Sequence, residues 1–148
     1  MIAHTIQAAL APVFVLVAIG NIMNILSTRL GRIVDRARAL QKMYGETSGA
    51  EHDLVVVEMR MVDRRIVLNN RAIRVLVLAG LAIGATVAVL FVEDVADYPL
   101  ERVAASVFMI AIALLMWGLT LFLQETSAAT EQLRVPADYL ESHRDLGD

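Results

Sequence analysis

The chain has 148 residues, 57% of them hydrophobic, with a mean hydropathy of +0.61 and a formal net charge of -3 at pH 7. Soluble domains are usually about 45–50% apolar, and here the excess is gathered into separate runs, which excludes an ordinary soluble globular fold. The absence of cysteine excludes a disulfide framework and a thiolate metal site.

Three runs without a charged residue predict three membrane spans. They cover residues 5–28, 75–92 and 103–124, and contain 24, 18 and 22 residues. A helix needs about 20 residues to cross a hydrocarbon core of roughly 30 Å. Arg74 can extend its head group to the interface and so lengthen the short second span. The predicted fold class is therefore an all-α membrane protein with three transmembrane helices.

The distribution of Lys and Arg predicts the orientation of these spans. Residues 29–74 hold ten of the thirteen basic residues, whereas the short connection 93–102 holds one Arg and four acidic residues. The positive-inside rule places the long connection in the cytoplasm and the short one outside. We therefore expect an external N-terminus and a cytoplasmic tail over residues 125–148. No Lys or Arg precedes the first run, which is unlike a signal peptide.

The long connection 29–74 is predicted to form an antiparallel helical hairpin that continues the first two spans into the cytoplasm. Apolar residues recur there at alternating spacings of four and three, as in a heptad seam. On the first helix the seam contains Leu26, Leu30, Ile33, Ala37, Leu40 and Tyr44. On the second it contains Val55, Met59, Val62, Ile66, Asn69, Ile73 and Leu76.

Two details of this hairpin are left open by the sequence. The second helix begins either at a Ser48–Glu51 capping box or at a cap formed by Asp53, and the lengths of the two helices favour Asp53. Asn69 falls on the seam, where it either fixes the register of the helices or is hydrated near the head groups together with Asn70.

Polar residues share one face of the first span. Asn21, Asn24 and Thr28 lie on this face, and an amide is costly in lipid unless it finds a partner. The face either forms hydrogen bonds between helices or lines a conduit. On the second span, Gly80, Gly84 and Ala88 recur every four residues, a pattern of close helix packing within the chain or between subunits.

The arginines near the membrane are candidate contacts for anionic lipid head groups or for a partner. They are Arg29, Arg32, Arg36, Arg64, Arg65, Arg71 and Arg74. Their position beside the spans is explained by topology, so we expect no nucleic-acid partner. His4, His52 and His143 are isolated, and no catalytic, metal or nucleotide motif is present, so we expect neither an enzyme nor a cofactor.

The stretch from Asn24 to Leu40 contains the pattern RLxRIVDRxRxL. It resembles a family of small bacterial membrane proteins that is catalogued only as a domain of unknown function. The resemblance covers nearly the whole chain and is weakest in the acidic C-terminal tail. It implies a location in the bacterial inner membrane and no known activity.

Two functions remain open. The first is a non-enzymatic, homo-oligomeric scaffold or interaction module that presents the basic hairpin to the cytoplasm. Two helices that pack along one seam need apolar residues only on that seam. Further apolar positions lie outside it, which favours a bundle of more than two helices; examples are Val34, Val56, Val57 and Val67. The alternative is an oligomeric channel or small-solute conduit lined by the polar face of the first span.

Overall fold

The computed structural model describes residues 2–96 and 98–132, and this part of the chain is built from three α-helices without a strand. Helix α1 covers Ile2–Tyr44, α2 covers Ala50–Ala96 and α3 covers Glu101–Gln132. Each helix is long and apolar enough to cross a membrane. The prediction of an all-helical protein with three candidate spans is therefore confirmed.

The first two helices are much longer than a membrane requires. At 1.5 Å per residue, the 43 residues of α1 and the 47 residues of α2 extend about 65 and 70 Å, roughly twice the thickness of a hydrocarbon core. Each helix continues without a break between its charge-free run and the charged residues on the side of the α1–α2 turn. Residues 29–44 of α1 and 50–74 of α2 therefore form a further part of the molecule, called here the paired segment.

A short turn joins α1 to α2. Thr47 closes the end of α1, since its backbone N–H and its hydroxyl both donate to the Met43 carbonyl, at 3.0 and 2.9 Å. Gly49 has a positive φ of 67°, a conformation that glycine adopts without strain, and α2 begins at the next residue, Ala50. The preferred start at Asp53 is thus wrong by three residues, because glycine permits the reversal earlier.

Two apolar clusters hold the helices together. In the paired segment, Ile33 and Leu40 of α1 pack with Val55 and Val62 of α2. The larger cluster joins all three helices within the candidate spans. Its buried members are Ile19, Leu26, Ala72, Leu76, Ala79, Ile83, Ala111 and Leu121. Both clusters fall on the apolar periodicity of the sequence, because that periodicity places one stripe of each helix against its neighbour.

Helix α2 lies in the centre of the arrangement. It packs against α1 on one side and against α3 on another, whereas α1 and α3 touch at only a few positions. Much of the outward surface is apolar, and Phe14, Leu81 and Met109 are each about two-thirds exposed or more, at 70%, 66% and 68%. Large apolar side chains pointing outward on all three helices suit a lipid environment.

The closest approach between α2 and α3 is at Gly118. A Cβ atom at this position would lie 2.8 Å from Cδ2 and 2.9 Å from Cγ of Leu76, a side chain that is fully buried. Glycine is therefore what allows Leu76 to occupy this part of the interface. The contact also fixes the relative register of the two antiparallel helices.

Candidate functional site

A buried carboxylate joins the three helices at one end of the membrane spans. Glu125 of α3 is completely inaccessible to solvent, and it is held between Arg29 of α1 and Arg65 of α2. Nη2 of Arg29 lies 2.8 Å from Oε2 of Glu125. Nε and Nη2 of Arg65 donate to Oε1 at 3.3 and 3.2 Å. We call these three residues the ionic junction.

The two sides of the junction are not equivalent. Arg65 meets Oε1 with two hydrogen bonds, whereas Oε2 has no well-aligned hydrogen bond and is neutralised by the charge of Arg29. The Arg29 guanidinium also lies over the ring of Phe122, 5.4 Å from its centroid. A cation above an aromatic face is attracted to it, so Phe122 helps to hold Arg29 in place.

The register of α3 explains why Glu125 is buried. Ala104, Ala111, Gly118 and Glu125 recur every seven residues, and all four are buried. They form the stripe along which α3 lies against α2, so the last member points into the molecule as the first three do. A carboxylate there must be paired, because the cost of burying an isolated charge is several kcal/mol or more.

The ionic junction carries a net positive charge. Two guanidinium groups face one carboxylate, and the side chains of Arg29 and Arg65 retain 27% and 22% of their exposure. Because α1 and α3 touch at few other positions, the Arg29–Glu125 ion pair is a principal link between them. The arrangement is suited to holding three helices in one relative position.

Asn69 lies at the same level as the junction. It is seven residues before Leu76 on α2, and Glu125 is seven residues after Gly118 on α3, so the Leu76–Gly118 contact places Asn69 and Glu125 at matching heights. Asn69 is fully buried, and its amide forms no hydrogen bond within the described residues. Direct hydration from bulk water, one of the two interpretations of Asn69, does not fit this burial. The other interpretation, a register-fixing contact, stays a prediction, since the amide has no hydrogen-bond partner among the described residues.

The predicted polar face of α1 points away from the rest of the molecule. Asn21, Asn24 and Thr28 are all exposed, and none of them contributes to the apolar clusters. The Thr28 hydroxyl donates to the Asn24 carbonyl at 3.0 Å, so it is satisfied within its own helix. The two Asn amides form no such bond to other described residues. Neither α2 nor α3 provides their hydrogen-bond partners.

The other predicted arginines are distributed over the surface. Arg36 forms an exposed ion pair with Glu58 across the paired segment, with Nη2 2.6 Å from Oε1. Four more are exposed and have no ion pair in the part of the chain that the structure describes. These are Arg32, Arg64, Arg71 and Arg74. Arg29 and Arg65 thus differ from the rest in turning inward to one carboxylate.

The small-residue stripe of the second span packs only at one end. Gly80 faces Leu16 and Ile19 of α1, with a Cβ position 3.6 Å from Leu16 Cδ1. Nothing lies within 4 Å of the corresponding position at Gly84, and Ala88 is exposed. Close packing within the chain depends on Gly118 of α3 instead, a residue outside the predicted stripe.

Glu125 is the residue that sequence reasoning missed. Glu125 directly follows the predicted third span, so the sequence predicts it to be the first acidic residue of the cytoplasmic tail. In the structure it is part of α3, which continues to Gln132. The available signal was the seven-residue spacing from Ala104 through Gly118, which extends the buried stripe to Glu125. The C-terminal part of that predicted tail, residues 133–148, lies outside the described residues.

Comparison with known proteins gives one match. A family model described as "Protein of unknown function (DUF2721)" matches residues 9–135, which is most of the chain and contains the whole of the ionic junction. No curated protein and no solved structure matches. The resemblance read from the RLxRIVDRxRxL pattern is confirmed in that the matched family has no assigned function. The chain belongs to this DUF2721 family of proteins of unknown function.

Proposed function

We propose that this protein is a non-enzymatic, homo-oligomeric scaffold of the bacterial inner membrane. In this proposal the three helices cross the bilayer with the N-terminus outside, and the paired segment projects into the cytoplasm as a basic antiparallel hairpin. The excess of Lys and Arg in residues 29–74 supports this orientation through the positive-inside rule. The ionic junction then lies at the cytoplasmic boundary, where it holds the hairpin in a fixed position above the membrane.

The observation that carries the proposal is the outer face of α2 in the paired segment. Val57 and Val67 are about half exposed there, at 48% and 46%, although this part of the chain would be surrounded by water. Between them on the same face lie Arg60 and Arg64, which are exposed and have no ion pair among the described residues. Arginine is enriched in protein–protein interfaces, so two arginines between exposed valines support a surface that binds another protein.

Arg71 and Arg74 have a different proposed role. They lie on the same face of α2 but directly beside the second span, within about 6 Å of its start along the helix axis. Anionic lipid head groups would reach these two arginines. Arg60 lies about 20 Å further from the span than Arg74, which is beyond both the head groups and a Debye length of about 8 Å. Its partner is therefore expected to be a protein.

The mass of the protein in lipid nanodiscs tests the oligomer. We expect native mass spectrometry to give a defined multiple of the 16.2 kDa chain that persists on dilution. Val67→Asp should lower this mass, because it places a charge in the apolar part of the proposed contact. Leu81→Ala, at an exposed apolar position in the second span, serves as the control and should leave the mass unchanged. A monomer at all concentrations would rule out the scaffold.

A conduit is the second candidate, and one observation favours it. Asn21, Asn24 and Thr28 are exposed at the level of the first span, where an oligomer could enclose them around a polar pathway. Flux of K⁺ or Cl⁻ from liposomes distinguishes this function from the scaffold. A conduit requires flux in the parent protein and reduced flux in Asn24→Leu. Absent or unchanged flux would reject it.

A further inference from the structure

Helix α1 carries a second line of residues at heptad spacing, opposite the one that packs on α2. It runs along the outward face through Phe14, Val17, Asn21, Asn24, Thr28 and Gly31, all of which are exposed. The steps between them alternate between three and four residues, which is the spacing that keeps one stripe of a helix against a neighbour over several turns. Within the described residues nothing covers this stripe, which we call the outer seam.

The middle of the outer seam is unsuited to lipid. Asn21 and Asn24 each present an amide without a hydrogen bond to another described residue, in a span where no water competes. Such groups normally form hydrogen bonds across a helix interface. Gly20 directly precedes Asn21, and Gly31 lies on the seam two turns beyond Asn24; no atom lies within 4 Å of a Cβ position at either glycine. The backbone of a second helix can therefore approach closely here.

We infer that the outer seam binds α1 of a second copy of this chain, in parallel and in register. Copies inserted by one topology rule have the same orientation, so two first spans that meet on this seam run parallel. An amide both donates and accepts hydrogen bonds, so an identical side chain is a sufficient partner. Asn pairs at seam positions are also known to select parallel, in-register helix dimers. The inference rests on the proposed oligomer and assigns it a second contact, on α1, in addition to the one on the outer face of α2.

The charges that follow the seam fit the same arrangement. Asp35 and Arg38 continue the heptad line beyond Gly31, and both are exposed without an ion pair in the described part of the chain. In a parallel, in-register pair each seam residue packs beside its own counterpart and within one turn of the next seam residue of the other helix. The two Asp35 carboxylates then lie side by side, and the long side chain of Arg38 from the other copy reaches each of them from one turn away, which offsets their repulsion with two symmetric ion pairs. An unrelated apolar partner would leave both Asp35 and Arg38 unpaired.

Disulfide cross-linking tests the inference directly, because the natural chain has no cysteine. Single variants Val17→Cys, Asn21→Cys, Asn24→Cys and Thr28→Cys in native membranes are oxidised with copper phenanthroline. We expect disulfide dimers at these seam positions. Ile25→Cys on α1 and Leu123→Cys on α3 are matched controls, being exposed at 51% and 65% near the same depth, and they should give few dimers. Equal or stronger cross-linking at the controls would overturn the inference.

Exchanging the charges of Asp35 and Arg38 tests the same contact without cysteine variants. Asp35→Arg should weaken self-association about fivefold, because exposed ion pairs contribute little individually and two are lost. The double variant Asp35→Arg/Arg38→Asp should restore most of it. Failure of the double variant to recover would contradict the proposed pairing of Asp35 with Arg38.

The two proposals fail in different ways. If mass spectrometry shows an oligomer but the outer-seam cysteines form no cross-links, the α1 contact is rejected and the scaffold proposal stands. A monomer by mass would reject both. Rapid labelling of Asn24→Cys by a water-soluble thiol reagent would also reject the contact, since it would place Asn24 in water as the conduit requires.

Discussion

Replacement of Glu125 by Gln is expected to destabilise the three-helix unit by about 3 kcal/mol. The substitution removes the charge that neutralises Arg29 and Arg65 while it preserves the size of the side chain. Removing one partner from a buried ion pair typically costs about 3–5 kcal/mol, because the remaining charge is left uncompensated. The lower value applies here, since both arginines keep about a quarter of their exposure and water solvates them in part.

The exposed pair of Arg36 and Glu58 provides the matched control for this experiment. Its side chains are 52% and 43% exposed, so Glu58→Gln should cost less than about 1 kcal/mol. Reversible unfolding in mixed micelles, followed by circular dichroism, measures both variants. If Glu125→Gln were no more destabilising than Glu58→Gln, the junction would not hold the helices together.

A triple variant separates charge from packing at the junction. When Arg29, Arg65 and Glu125 are all replaced by Leu, no charge is left unpaired. Such replacements in other proteins are often neutral or stabilising, so we expect at least half of the lost stability to return. A triple variant as unstable as Glu125→Gln would mean that the geometry of the three polar groups is itself required.

Gly118→Ala is expected to destabilise the protein by about 1–3 kcal/mol. The added methyl group would lie 2.8 Å from Cδ2 and 2.9 Å from Cγ of Leu76, and the buried Leu76 has little room to move. Overpacking of an interior contact has this typical cost. Two-state unfolding of the variant, measured under the same conditions as for Glu125, gives the change in free energy.

Gly84→Ala is the control for this second prediction. Its Cβ would meet no atom within 4 Å, and alanine favours a helix over glycine, so the variant should be neutral or slightly more stable. Adding Leu76→Val to Gly118→Ala should relieve part of the clash, so the double variant should lose less than the sum of the single effects. Equal effects of Gly118→Ala and Gly84→Ala would contradict the close approach.

The sequence predicts the helices well because their determinants are local and repeated. Three charge-free runs and an alternation of apolar residues every three and four positions determine where the helices form and which stripe of each is buried. Ile33, Leu40, Val55 and Val62 are buried as this periodicity requires. The start of α2 is less well determined, because Gly49 and Asp53 both offer plausible boundaries a few residues apart.

The seven-residue spacing of α3 indicates that Glu125 is buried, but its two partners could not be predicted, because the ionic junction depends on contacts between distant residues. Arg29, Arg65 and Glu125 are separated by 36 and 60 positions, and nothing local distinguishes these two arginines from the five others near the membrane. Their convergence follows from the register between α2 and α3, which the contact of Gly118 with Leu76 sets. The direction of Asn21 and Asn24 also required the structure, since a polar face alone does not reveal which neighbour covers it.

The accessibility of single cysteines in whole cells tests the central claim most directly, which is that the paired segment faces the cytoplasm. Ser48→Cys lies in the turn between α1 and α2, and Val95→Cys lies near the opposite end of α2, where the native side chain is 86% exposed. A membrane-impermeant maleimide is expected to label Val95→Cys in intact spheroplasts, and Ser48→Cys only after the membrane is permeabilised. Labelling of Ser48→Cys in intact spheroplasts would reverse the orientation and contradict the scaffold as proposed.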